Sequence, residues 1–294
     1  MPGQLKEVRN RIKSVQSTQQ ITKAMKMVSA AKLRKAQDSI VQMRPYDQKL
    51  QEMLNNILSS SDGDLGVLKL ATVRPVERVL LIVITSDRGL CGAYNLNIIK
   101  LAKQTIAERY NVQNQKGNVH VWGIGKKGTE AFQRAGFNTS DAYRDLLQQL
   151  KFESIQAASA AAMKAFMAGE YDVVELVYSE FKNAATQRYK VERFLPISKA
   201  TQQKGIQNAN FIFEPSKDEL VAALMPKIIN TQLFKAVLDA NASEHGARMT
   251  AMDKASDNAN ELLRSLRISY NRARQAAITT ELTEIVSGAA ALNG

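Results

Sequence analysis

Residues from about Leu5 to Leu58 carry one helical repeat broken only by a proline, and a chain with such a helix cannot fold as an ordinary globule. At ~1.5 Å per residue, about fifty residues span roughly 75 Å, too long for the interior of a single domain. Leu5, Val8, Ile12 and Val15 recur at spacings of three and four, as do Leu33, Ala36, Ile40 and Met43, and then Leu50, Leu54 and Ile57. Between them Thr18, Ile21, Met25 and Val28 extend the stripe with shortened spacing, which predicts local overwinding of a coiled coil. Pro45 removes one backbone donor and predicts a kink or brief interruption.

The C-terminal end repeats the theme. From about Asp218 the pattern is helical, with Pro226 in its first turns and Gly246 as its one later weak point. Met252, Ala255, Ala259, Leu262, Leu266, Ser269, Ala273, Ala276 and Thr280 follow a three-four rhythm, and several are small enough for a partner helix to approach closely. Neither helix can bury its stripe alone, so each is expected to bury the other's. An entire domain joins the end of the first to the start of the second, which makes the pair antiparallel.

Between the helices the periodicity changes. The segment SSSDGDLG (59–66) reads as a turn. VLLIVIT (79–85), NVHVWGI (118–124) and YDVVELVYS (171–179) read as buried strands, and residues 187–194 as a partly exposed edge strand. Helices are expected over Leu96–Tyr110, Lys126–Arg134 and Glu153–Met167. The expected fold is therefore α/β. A long antiparallel two-helix coiled coil forms from residues 1–60 and 215–294, and a central Rossmann-like α/β domain with a mostly parallel sheet spans 76–200.

Charge placement narrows the partners. Residues 1–60 hold 11 Lys or Arg against 4 acids, whereas residues 214–294 hold 9 against 10. Lys23, Lys26, Lys32, Arg34 and Lys35 cluster on the first helix. Arg264, Arg267, Arg272 and Arg274 cluster on the last, with no acid between Leu262 and Thr280. In an antiparallel pair both clusters are expected on the same part of the rod, as a contact surface for something acidic. Cys91 is the only cysteine, which excludes an intrachain disulfide. No run approaches the ~20 apolar residues that cross a bilayer. The opening MPGQLKEVRNRIKSV has no apolar signal core, so neither a secretory signal nor a transit peptide is expected.

Two loops invite an enzymatic reading. Gly123-Ile-Gly-Lys-Lys-Gly128 is a G-x-G-x-x-G between a strand and a helix, as in dinucleotide folds, but no strand ends in an acid at the right place. The simpler reading is a tight turn with a solvated lysine pair. SDRGLCGAYN (86–95) also joins a strand to a helix, yet Cys91 needs a partner base, and His120 and His245 fall in a predicted strand and helix without supporting spacing. These residues offer no metal-ligand pattern either. A basic coiled coil that holds nucleic acid is the rival binding reading. Salt-sensitive DNA or RNA binding would identify it.

ITKAMKMVSAAKLRKAQ (21–37), SDRGLCGAYN (86–95), SEHGARMTAMDKASDNA (243–259) and YNRARQAAITTELTEIVSGAAA (270–291) together resemble the gamma-subunit family of the F-type ATP synthase, bacterial type. The last segment places the family's pattern at Ile278, Thr279, Glu281, Glu284, Gly288 and Ala289. The resemblance implies a central rotor stalk, without cofactor, metal or chemistry of its own, that couples ion-driven rotation of a membrane ring to ATP synthesis or hydrolysis. It implies as partners the alpha and beta subunits of the catalytic hexamer, the epsilon subunit and the membrane c-ring, and no nucleic acid. It places the chain at the cytoplasmic face of the bacterial plasma membrane, peripheral and not inserted. It assigns partner contacts to Met25, Lys26, Arg34 and Lys35 and, higher on the shaft, to Arg274, Gln275, Thr279 and Glu281. The C-terminal tip would turn in an apolar bearing. Gly246 departs from the Ala or Ser more usual in the family, and should cost the helix roughly 1 kcal/mol.

Overall fold

The computed structural model describes residues 2–59, 69–148, 150–184, 186–197 and 217–292. The expected turn beyond Ser59, the domain limits at 200 and 215, and the last two residues of the tip lie outside the described residues. The elements run α1 (Pro2–Ser59), β1 (Val79–Ile84), α2 (Tyr94–Arg109), α3 (Asn111–Gln115), β2 (Val119–Ile124), α4 (Lys126–Arg134), β3 (Asn138–Ser140), α5 (Phe152–Met167), β4 (Val173–Phe181), β5 (Gln187–Leu195) and α6 (Lys217–Leu292). The chain separates into two compact units, residues 1–29 with 249–294, and residues 30–248.

In the larger unit, β1 sits at the centre of a five-stranded sheet ordered β3-β2-β1-β4-β5. It pairs in parallel with β2 and β4, while β5 returns antiparallel along β4. All six residues of β1 are buried, because both of its faces are covered, and this is why the sequence shows an apolar run rather than alternation. Leu80, Ile82 and Ile84 pack on one side with Ile155, Ala162 and Phe166 of α5 and Ile229, Leu233 and Val237 of α6. Val79, Leu81 and Val83 pack on the other with Ile98 and Ile106 of α2 and Phe132 of α4. The first part of α6 is thus a layer of the α/β core. The sequence stripe, read as coiled coil alone, did not reveal this. Short β3 and α3 were also unforeseen, having too few residues to set a period.

One charged interruption in this core is compensated. Glu175, buried in β4, lies 3.5 Å from Arg109 and 3.4 Å from Arg193. The α1 helix continues through Pro45 without the expected interruption. Pro45 and Val41, whose carbonyl loses its donor, are both exposed, so water can take the missing bond. Gly246 has a packing reason: a Cβ there would sit 3.2 Å from the Ala184 carbonyl oxygen.

In the smaller unit, the N-terminal half of α1 and the C-terminal part of α6 lie antiparallel. Arg9 meets Tyr270, Gln19 meets Asn260, Thr22 meets Ser256 and Lys26 meets Asp253, so positions rise on one helix as they fall on the other. The seam on α6 is Met252, Ser256, Ala259, Leu263 and Leu266, followed by partly buried Tyr270, Ala273, Ala277 and Thr280. Every second position of the expected stripe is therefore displaced by one residue: Ser256, Leu263, Tyr270 and Ala277 replace Ala255, Leu262, Ser269 and Ala276 as the deeper positions. On α1, Val15 is followed by Gln19, Thr22, Lys26 and Ser29 rather than by Thr18, Ile21, Met25 and Val28. This polar route keeps the alternation of four and three unbroken. The apolar route would have needed a 3-3 step, so no local overwinding is required.

Candidate functional site

The seam of the smaller unit is held by side chains. Arg9 donates to the Tyr270 hydroxyl at 2.9 Å, with its guanidinium 5.8 Å from the ring centroid. Gln19 donates to Asn260, the Thr22 and Ser256 hydroxyls stand 2.8 Å apart, and Lys26 donates to Asp253 at 2.5 Å. None of these polar pairs was foreseen. The signal was present in the polar residues Asp253, Ser256 and Asn260, which recur at helical spacing on α6.

Outside the seam, the surface is cationic and in places apolar. Arg264, Arg267, Arg272 and Arg274 are exposed and form no ion pair among the described residues. This cluster lies opposite the turns on either side of Arg9, not opposite Lys23 and Lys26, which face the region of Asp253. The two basic clusters therefore occupy different heights, against expectation, because the pairing register sets Tyr270 beside Arg9. Because Arg9 stands opposite Tyr270 and α1 begins at Pro2, α1 runs out near Ala277. From Glu281 to Ala289 every residue of α6 is exposed, including Leu282, Ile285 and Val286. That end is a bare helix with an apolar face. Of the residues assigned to partner contacts, Arg34, Lys35, Arg274, Gln275, Thr279 and Glu281 are exposed, and Met25 and Lys26 are partly buried. The Thr279 hydroxyl donates to the Gln275 carbonyl.

In the larger unit, both tempting loops are filled. A Cβ on Gly125, whose φ is +99°, would lie 2.3 Å from the Thr85 carbonyl oxygen, and one on Gly128 would lie 2.7 Å from Thr85 Oγ1. The amides at the start of α4 are already spent. Lys126 N–H donates to Asp87, Lys127 N–H to the Ser86 carbonyl and Gly128 N–H to Thr85 Oγ1. A phosphate would have to displace all three, so the glycines serve close packing of α4 on the end of β1.

The loop 86–95 is a tie between the sheet and α6. Ser86 Oγ donates to the Arg88 carbonyl, Asn95 braces Ser86, and Leu90 sits at φ +64° at the exposed turn. Arg248 of α6, itself buried, donates to the carbonyls of Arg88 (3.0 Å) and Gly89 (3.1 Å) while pairing with Glu244. Tyr94 adds a bond to the Ala240 carbonyl at 2.9 Å. Burial pushes the Glu244 carboxyl up, against the pull of Arg248. Cys91 is buried at 1% exposure, and its sulfur neighbours are Ser86, Asn95 and the Arg88 carbonyl. His120 is engaged by Tyr171 and Asn138, away from this loop. Among the described residues no group of three or more His, Cys, Asp or Glu could hold a metal ion.

A cleft of about 590 Å³ lies between α1, the β4–β5 hairpin and α6, with Asp47 and Asp239 on its wall. Asp47 accepts from Lys235 at 2.6 Å. Burial pushes the Asp239 carboxyl up to about 6, with Glu180 reinforcing and Lys235 and Arg44 opposing. Further along α6, burial pushes His245 down to about 4, helped by Arg248 and Lys32. No helix among the described residues is long and apolar enough to cross a membrane.

A family model described as ATP synthase matches residues 4–292. The ATP synthase gamma chain of Cytophaga hutchinsonii is 52% identical over the whole of both chains, and that of Flavobacterium johnsoniae is 50% identical over 99% of each. Among solved structures, a chain of the Tetrahymena thermophila mitochondrial ATP synthase central stalk and c-ring superposes with a TM-score of 0.58 at 26% identity, covering 80% of this chain and 99% of that one. A chain of the Euglena gracilis mitochondrial ATP synthase shares the fold with a TM-score of 0.68 at 22% identity, covering 99% and 95%. These matches define a central-stalk subunit, whose helix pair has a pinned seam, exposed cations outside and one bare apolar end. The chain belongs to the ATP synthase gamma chain family, and its role is that of the central rotor shaft.

Proposed function

We propose that the chain performs this role mechanically, with no chemistry of its own, by presenting unequal faces to the alpha and beta subunits of the catalytic hexamer as a membrane c-ring turns it. A shaft angle that binds one catalytic conformation better than another biases that subunit's equilibrium, which is the only way a non-reacting partner can drive a catalytic cycle. The observation that carries the proposal is the bare, apolar end of α6 beyond Thr280, next to the exposed Arg264–Arg274 cluster, which forms no ion pair among the described residues. An apolar, weakly specific tip suits a bearing in which contacts must be exchanged. The exposed cations suit acidic loops on the surrounding subunits. Met25, Arg34 and Lys35 are proposed to face one set of such loops, and Arg274, Gln275, Thr279 and Glu281 another. Lys26, assigned to the same contacts, spends its charge within the chain on Asp253.

The α/β portion is proposed to hold the epsilon subunit and to sit near the c-ring, on the cytoplasmic face of the plasma membrane. The working division is an N-terminal helix over 1–60, an α/β domain over 76–200 and a C-terminal helix over 215–294. Co-purification tests the proposal. Tagged chain should bring down the alpha, beta and epsilon subunits, and a complex reassembled without it should lose ATP-driven proton pumping. A complex that pumps equally well without the chain would contradict it.

A further inference from the structure

Between Val15 and Ser29 the first helix is packed inside out. Its seam positions are Gln19, Thr22, Lys26 and Ser29, while Ile21, Met27 and Val28 stand 57%, 66% and 57% exposed. Thr18, Ile21, Met25 and Val28 form a competing apolar stripe, about one residue, or ~100° of helix rotation, away from the polar one. Hydrophobic burial alone would favour that stripe. Something specific to the seam must hold the helix in its present rotational phase.

The opposing residues of α6 supply it. Gln19 bonds to Asn260, Thr22 Oγ1 lies 2.8 Å from Ser256 Oγ, and Lys26 Nζ reaches Asp253 at 2.5 Å. Three consecutive polar contacts match in type and height, and each is lost if α1 turns to bury Ile21 and Val28. Polar or charged residues at helix-pair seams are an attested means of fixing register and orientation at little gain in stability. The Lys26 and Asp253 side chains are 42% and 49% exposed, so as a source of stability this ion pair counts for little.

We infer that Lys26 and Asp253 are positioning residues that set the rotational phase of α1, with Thr22–Ser256 and Gln19–Asn260 in support, so that Ile21, Met27 and Val28 face outward to the surrounding subunits. Lys26 then acts through Asp253 rather than on an acid of a partner. This deepens the rotor reading and rests on it.

A charge exchange in the assembled ATP synthase separates the two roles. Lys26→Asp and Asp253→Lys each place like charges across the seam. Each is expected to lower the protons pumped per ATP hydrolysed by about two- to fivefold. The double variant Lys26→Asp/Asp253→Lys restores the pair in reverse and is expected to return the ratio to the wild-type value, and Lys26→Arg is expected to match wild type throughout. A double variant as poorly coupled as Lys26→Asp alone would overturn the inference, because the charge would then be needed at position 26 by a partner. Single variants that couple normally would overturn it as well. Should the single variants fail to assemble, the double variant decides alone, since it has only to assemble and couple. A wild-type complex that pumps no better with this chain than without it would mark a failure of the rotor reading instead.

Discussion

Two ionisable side chains in the larger unit, Asp239 buried and His245 half-buried, give the protein opposed responses to acid. The folded chain holds the Asp239 proton more tightly than the unfolded chain does, since its carboxyl rises from 3.8 to about 6. Its contribution to stability is therefore lost as pH rises from about 4 through about 6. His245, lowered from 6.5 to about 4, works in the other sense: its contribution is lost as pH falls through the same window. Each shift is worth at most about 3 kcal/mol. Replacing Asp239 by Asn, which still accepts from the Phe181 amide, should stabilise the chain by about 1–3 kcal/mol at pH 7 and leave it unchanged near pH 4. The variant should then show the acid sensitivity of His245 more openly, partly offset by Glu244, whose carboxyl burial also raises. Urea unfolding at a series of pH values measures both effects. Arg248 makes a sharper prediction. Its removal strands buried Glu244 and two loop carbonyls, so Arg248→Ala should cost about 3–5 kcal/mol, and Glu244→Gln/Arg248→Met clearly less.

At the level of single elements, the helix seam separates what periodicity reveals from what it hides. The rhythm of α6 fixed five seam positions, Met252, Ala259, Leu266, Ala273 and Thr280, and misplaced the ones between by a residue. Where Leu262 and Leu263 stand side by side, hydrophobicity cannot choose between them; only the partner helix can. Leu263→Ala should therefore cost about 2–3 kcal/mol and Leu262→Ala less than about 1 kcal/mol in equilibrium unfolding. Equal costs would contradict the seam described here. The same limit hid the polar layer on α1, where local hydrophobicity pointed to Ile21 and Val28 and the unbroken heptad with its polar partners prevailed. The strands β1, β2 and β4 were legible because buried parallel strands leave apolar runs. The edge strand β5 was legible from its alternation. The placement of Ile229–Val237 against the sheet was not legible, because an apolar helix stripe does not say which surface it covers.

On the scale of the whole molecule, both enzyme-like motifs turn out to be joints. Gly123–Gly128 seats α4 against the end of β1, and the loop 86–95 is clasped by Arg248, so the two segments with the most suggestive spacing hold elements together. The contact surface proposed for the surrounding subunits is instead spread along exposed helix faces, where composition gives charge and sequence resemblance gives role. Of the eight contact residues that resemblance assigned, Lys26 is the one that forms an ion pair among the described residues.

The central claim is that this chain turns relative to the catalytic subunits. Val112 in α3 is exposed, and Val112→Cys in a Cys91→Ser background gives a single attachment point for a visible probe. With the catalytic subunits fixed to a surface, ATP should drive continuous rotation of the probe in one direction, and the rotation should stop when ATP is withdrawn. ATP hydrolysis by the same particles with a stationary probe would contradict the account.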